Sequence, residues 1–434
     1  MKFGRSLGFL AALVSALCIG GLLSVAVTSK SYSESYPAVV CPPTLAGLTS
    51  QISLASKKTP FQRLQNRTTK TAPVKVLRLP VNKDSLLFSS DGVTPVVWQS
   101  RASSWAGGAV CTGPETSQWF VGGTADITTR GRLIIINSGL SDAVVDVQSF
   151  TENGKQPLRT ITVVSKNYQV IPTDSLAPGD KYLTVHVAPR SGRINAFMID
   201  EQGTGLKSLG GDLINSVSNA SKSVMIPAIP HQIKDRSPAL PHTLRVLTPG
   251  DVDASVTAEV MSSDGVFVPV GLTSRTVSAG IVTEFQFTPK ISSTVLAVRI
   301  TSTEPVVAAV KSTVTVAGRK DFVWSTSAPE LVPLTIAISG LTPLISFVGE
   351  RINVSLDVTL TNGKVVRKTV KGTDIATWRA PDAARSFTIT KVGPDTFAGA
   401  LVSSVNGYGY FPIAPGSLLT KIELPDSNIR VLNP

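Results

Sequence analysis

Apolar and polar residues alternate with a period of two along most of the last three-quarters of this chain. The clearest run is Ile352, Val354, Leu356, Val358 and Leu360, with Asn353, Ser355, Asp357 and Thr359 between them. Period two is strand geometry, one face buried and one wet. Comparable runs cover residues 133–136, 144–150, 182–187 and 194–199, then 244–247, 254–261, 295–300 and 306–310, then 352–360, 387–389 and 397–402. Each of the three sets contains one turn signal: Asn153-Gly154, Asp264-Gly265 and Asn362-Gly363. Such a pair supplies the two positive-φ residues of a type I′ hairpin. The copies recur about every hundred residues, the size of one β-sandwich domain. Gly and Pro punctuate the chain at short-loop intervals, as at Pro178-Gly179, Pro249-Gly250 and Pro415-Gly416, and no helical period shows outside the first thirty residues. The pattern predicts an all-β protein of about three tandem immunoglobulin-like β-sandwiches, at residues 109–215, 216–328 and 329–434. A β-propeller is the runner-up, but three repeats of this length are too few and too long for blades.

The N-terminus follows a different rule. Lys2 and Arg5 precede an uncharged, strongly apolar run over residues 6–29, long enough to span a bilayer. The charge before it places the N-terminus inside and everything beyond Lys30 outside, which predicts a signal anchor at residues 1–29 and a single-pass protein of the cell membrane. The alternative is a cleaved signal peptide and a secreted chain; its apolar core is usually shorter, about 7 to 15 residues, so the anchor is favoured. Cys18 lies inside the run, follows Leu17, and reads as a small membrane residue rather than a lipid attachment point.

Net charge then changes the picture. The chain of 434 residues carries +12, with only 16% charged residues. Residues 35–83 contain no acidic residue and eight basic ones, among them Lys57, Lys58, Arg63, Arg67 and Lys70. Those five are the candidate contacts for a polyanion, each worth about 1 kcal/mol near an anionic surface. The competing reading of residues 35–83 is a solvated stalk kept extended by its own charge; the wider segment, residues 30–108, is read as tied to the first sandwich. Cys41 and Cys111 lie outside the membrane in this topology, and an even pair in an oxidising compartment predicts a disulfide that ties the basic segment to the first sandwich.

Candidate chemistry is sparse. Of the three histidines, His186 sits on a strand face predicted to meet solvent, while His231 and His242 flank Asp235 at a spacing that fits no standard zinc site. No nucleophile elbow, P-loop or zinc-protease motif occurs. Asp174, Asp180 and Glu201 could serve an unfamiliar hydrolase, but isolated carboxylates near turns are usually caps. The expectation is therefore no enzyme, no cofactor, no metal and no nucleic-acid partner. Trp98, Trp105 and Trp119 lie close in sequence around Cys111. Exposed, they would form a glycan-stacking face; buried, they fill a core. The run Gly407-Tyr408-Gly409-Tyr410-Phe411 reads as a docking strand or as a terminal core strand.

Around Cys111 the chain reads Ala109-Val110-Cys111, then Trp119-Phe120-Val121-Gly122-Gly123-Thr124, then Arg132-Leu133-Ile134-Ile135-Ile136-Asn137, with Cys41-Pro42 earlier. This resembles an uncharacterised family of secreted or membrane-anchored actinobacterial envelope proteins, a domain of unknown function. The family usually continues the last element as Asn-Pro where this chain has Asn137-Ser138. The resemblance implies compartment and fold and carries no activity. Together these readings predict a non-enzymatic, membrane-anchored envelope protein that binds an anionic wall polymer or a partner protein. The alternative is an accessory subunit of an envelope glycosyltransferase or hydrolase.

Overall fold

Strands form wherever the period-two pattern runs, and the chain is all-β. The computed structural model describes residues 13–15, 37–56, 58–66, 68–73, 76–89, 92–204, 207–232 and 240–417. The expected anchor at residues 1–29 lies outside these apart from residues 13–15, and among the described residues no helix is long and apolar enough to cross a membrane.

Strand Arg132–Asn137 runs antiparallel to Asn167–Pro172 on one side and to Ile194–Thr204 on the other, and Lys207–Ile214 extends that sheet. A second sheet centres on Ala143–Thr151, flanked by Arg159–Val163 and Thr184–Ser191. The two share one core, to which Leu133, Ile135 and Met198 contribute from the first sheet and Val145, Val147 and Val185 from the second. The alternation predicts a wet outer face for the first sheet. That face is buried as well: Ile134, Ile136, Phe197 and Ile199 pack against Val39, Leu54, Leu86 and Phe88.

The covering layer is the basic segment, for which a solvated stalk is the competing expectation from sequence. Pro37–Cys41, Leu86–Ser89, Pro60–Arg63 and Lys70–Thr71 form a four-stranded sheet. Its fold has a simple cause. Val39, Val40, Ile52, Leu54, Phe61, Leu64, Leu86 and Leu87 are interspersed among the basic residues and bury together, while Lys58 and Lys70 stay in water. Burying such side chains is worth about 1.5–3 kcal/mol each, far more than charge repulsion along the surface.

A hairpin of Val93–Arg101 and Trp105–Val110 joins this layer to the C-terminal part. Its even positions, Val96, Trp98, Ala106 and Val110, enter a core with Ile336, Phe347 and Phe411, and its odd positions, Val97, Trp105 and Ala109, enter the N-terminal core. Strand Leu334–Ala337 pairs with it in parallel, so one sheet takes in residues from 49–110 and 334–412. Sheets therefore continue across residue 109, and Pro37–Leu418 make one compact unit. The middle region has its own core around Val246, Val256, Val260, Val298 and Val310, built on the long strand Val295–Val316.

The three hairpin turns exist, but they are not type I′. Gly154, Gly265 and Gly363 have φ of 103°, 120° and 89°, whereas Asn153, Asp264 and Asn362 do not have positive φ. In the first two the hydroxyls of Thr151 and Ser262 accept from the amides of Asn153 and Asp264, which lets the preceding residues turn without left-handed strain. The Cys41–Cys111 disulfide is present, with Cα atoms 4.6 Å apart and both residues fully buried. Tyr408–Pro412 is a core strand rather than a docking strand. At Gly409 a β-carbon would lie 2.5 Å from the Trp98 ring and 2.6 Å from the Gly108 amide, so the glycine admits the hairpin at backbone contact.

Candidate functional site

The covering layer ends before the strands beneath it do, and a groove opens at that rim. Arg132 begins its strand on the same face as Ile134 and Ile136, and Ile199 opposes it in register. Two residues on, Glu201 returns to that face. The groove, about 300 Å³, is lined by Arg101, Arg130, Arg132 and Glu201 together with Leu45, Leu48, Val170 and Ile199. Such a volume is at the small end for a ligand site.

Within it Arg101 and Glu201 form a two-point ion pair, Nε to Oε1 at 2.6 Å and Nη2 to Oε2 at 3.0 Å, and Arg101 also donates to the Gly47 carbonyl. Glu201 is buried and its charge is spent on Arg101. Arg132 donates to the neighbouring Gly131 carbonyl. Arg130 is exposed. Among the described residues neither has a carboxylate partner, so two guanidiniums line the groove without a counter-charge there. Planar, permanently charged forks of this kind recognise phosphate and carboxylate oxygens.

On the opposite sheet face, alternation sends Asp200 inward, to a junction where strands from three regions meet. Its Oδ2 accepts from Trp324 Nε1 and from Gln202 Nε2, both at 2.9 Å. Asp212 accepts the amides of Leu213 and Trp324, and Asp321 those of Gly211 and Phe322. Burial pushes all three carboxyls up, Asp212 strongly and Asp321 to about 7. Lys311 donates to Gln202 and sits 4.1 Å from the Phe322 ring centre. Arg245, itself buried, pairs with Glu284 at 2.6 Å, donates from Nη1 to the Gly123 and Leu183 carbonyls, and lies 4.7 Å over Trp324. This is a clasp between regions. Arg245→Lys keeps the charge but loses the fork to the two carbonyls, and it should cost about 2 kcal/mol. Urea unfolding measures it.

The remaining candidates are dispersed. His231 and His242 bond to each other at 3.0 Å, and His242 Nδ1 meets Ser312 Oγ at 2.8 Å. Periodicity cannot foresee this line, because a loop ending and two strands in register create it. Ser312 is fully buried, so no substrate reaches its hydroxyl. Burial drives His242 down to about 3. Asp235 lies outside the described residues, and among those described no cluster of His, Cys, Asp and Glu suits a metal ion. His186 does not face open solvent: it stacks on Trp119 with ring centres 4.0 Å apart and bonds to Ser117. Asp180 accepts from Asn153 Nδ2, Glu201 pairs with Arg101, and Asp174 lies in the short 3-10 helix Thr173–Ser175.

The three tryptophans do not make a glycan-stacking face. Trp98, Trp105 and Trp119 are 8%, 0% and 8% exposed, and each fills a different core. Of the five proposed polyanion contacts, Lys58 and Lys70 are exposed, Arg63 is half-buried, and Lys57 and Arg67 lie outside the described residues. The groove arginines escaped notice in the sequence because Arg101, Arg130 and Arg132 stand in a region of mixed charge, not in the acid-free run.

Comparison with known proteins gives one family. Residues 99–374 match the family described as "Family of unknown function (DUF5719)". No curated protein matches. A solved structure titled "Crystal structure of tetra-tandem repeat in extending region of large adhesion protein" aligns over 88% of this chain and 95% of its own at 11% identity, with a TM-score of 0.12. That score is too low to relate the folds.

Proposed function

The chain belongs to the DUF5719 family of unknown function, a membership that assigns no chemistry, and from that premise we propose a non-enzymatic cell-envelope protein that binds an anionic polymer. It is built of immunoglobulin-like sandwiches behind a membrane anchor. The observation that supports the reading is the pair of guanidiniums, Arg130 and Arg132, left without carboxylate partners among the described residues, in the groove beside the neutralised Arg101–Glu201 pair. A net charge of +12 draws polyanions toward the whole surface, and the groove supplies directed contacts.

Co-sedimentation with purified cell walls at low and high salt tests it. Binding should weaken as salt rises, since exposed charges are screened within about 10 Å at 0.1 M. Arg130→Gln and Arg132→Gln should each lower affinity about tenfold, the worth of one charged hydrogen bond. Salt-independent binding, or binding untouched by both changes, rejects the reading.

A second reading, the accessory subunit that docks a partner enzyme, has its own support. Strand Val365–Arg379 pairs with Leu344–Leu360 along one side, and residues 365–369 are all exposed. An open strand edge is a template for adding a partner strand.

A further inference from the structure

The groove mixes two kinds of lining, and a ligand made of charge alone would use one of them. Beside the arginines stand Leu45, Leu48, Ile199 and Val170, the last 37% exposed. The apolar lining is not an accident of one side chain. Val170 projects from the middle of Asn167–Pro172 on the face that the N-terminal layer covers, opposite Ile134 in register, at the point where that layer stops. Leu45 and Leu48 belong to the connection between Pro37–Cys41 and Thr49–Ser53, and both pack against the N-terminal core with part of their surface still open. The rim is therefore apolar because it is the cut edge of a buried interface.

The polar lining is equally defined by the chain. Glu201 holds Arg101 through two contacts, so Arg101 contributes shape and no free charge. Arg130 and Arg132 are two apart along the chain and both line the groove. An anion there meets guanidinium donors with hydrocarbon close by. Apolar surface left wet in such a groove gains about 25 cal/mol for every Å² that a ligand covers.

We propose that the groove takes an amphiphilic anion: a phosphate or carboxylate head on Arg130 and Arg132, with a short apolar chain laid along Leu45, Leu48 and Val170. The proposal rests on the anion-binding reading above and narrows it from a charged polymer to a head-and-chain ligand, such as a polymer terminus or lipid-like headgroup with its first methylenes.

Calorimetric titration of the full chain with methyl phosphate and with butyl phosphate separates the polar from the apolar lining, because both are freely soluble and differ by three methylenes. Full burial of those three raises affinity about 60-fold, at about fourfold each. Butyl phosphate should therefore bind at least tenfold tighter than methyl phosphate. Val170→Ser should shrink that ratio while leaving methyl phosphate affinity unchanged; Arg132→Gln should weaken both phosphates equally. A parallel titration with pentanoate shows whether a carboxylate head serves as well as a phosphate. Equal affinity for methyl and butyl phosphate would overturn the proposal while leaving anion binding intact. Failure of every phosphate and carboxylate, with wall binding also insensitive to salt, would remove both.

Discussion

Removing the Cys41–Cys111 disulfide should destabilise the whole unit from Pro37 to Leu418, by about 4 kcal/mol. That figure is the chain-entropy value for a loop with a sequence separation of 70. Repeats that behaved as independent tandem units would confine the loss to the first of them. The topology predicts otherwise. Cys41 and Cys111 lie in the N-terminal core, which also contains Ile134, Ile136, Phe197 and Ile199 of the neighbouring sheet. Cys111 directly follows Trp105–Val110, whose partner strand Val93–Arg101 pairs with Leu334–Ala337. Loosening the loop therefore loosens a layer that two other regions lean on. The measurement is urea unfolding of Cys41→Ala with Cys111→Ala, followed by both tryptophan fluorescence and hydrogen exchange. Exchange should accelerate at residues 334–337 as well as at residues 37–41. Unchanged protection of residues 334–337 alongside a weakened N-terminal layer would show that the regions melt separately.

The second large effect is a pH dependence carried by Asp321. Its carboxyl is 2% exposed, and burial raises it from 3.8 to about 7 despite amides from Gly211 and Phe322 and the nearby Arg319. The folded state thus holds a proton that the unfolded chain releases near pH 3.8. Between those two values the folded state binds more protons, so stability falls as pH rises and stays lost above about pH 7. At about 1.4 kcal/mol per pH unit the loss is on the order of 4 kcal/mol. The buried histidines pull the other way: His242, held at about 3, and His231, also lowered, favour the folded state less as pH drops below 6.5. The wild-type profile mixes the two trends over the acid range. Comparison with Asp321→Asn isolates one, because the amide imitates the neutral carboxyl at every pH. The stability of the variant relative to wild type should climb from pH 4 to pH 8 and then level. A difference that stays constant with pH would mean that Asp321 is ionised in the folded protein. Asp200 and Asp212 face the same junction and both are raised; Asp212 is pushed up in part by the Asp321 charge, so its relief in the variant adds to the same rise.

Much of the secondary structure was written in the period of the chain. Alternation at residues 352–360 and 254–261 became the strands Leu344–Leu360 and Ala254–Ser262, and the paired cysteines outside the apolar run became a disulfide. Those are local or compositional facts: period two tells which residues share a face, and cysteine parity tells that a bond is available. Which face is buried, and by what, is not local. Arg132–Asn137 is covered on both sides because residues 37–89 fold over it, and its sequence is the same whether or not they do. Trp98, Trp105 and Trp119, close in sequence, went to three cores: a hairpin with both faces buried sends Trp98 and Trp105 to opposite partners, and Trp119 lies on the next strand, Gln118–Val121, which joins another sheet. The groove is the sharpest case. Arg101, Arg130, Arg132 and Glu201 come from separate elements, and the site exists only where a covering layer ends short of the sheet beneath it. Side-chain order along the strand is fixed by the chain; the rim that exposes it is a property of packing.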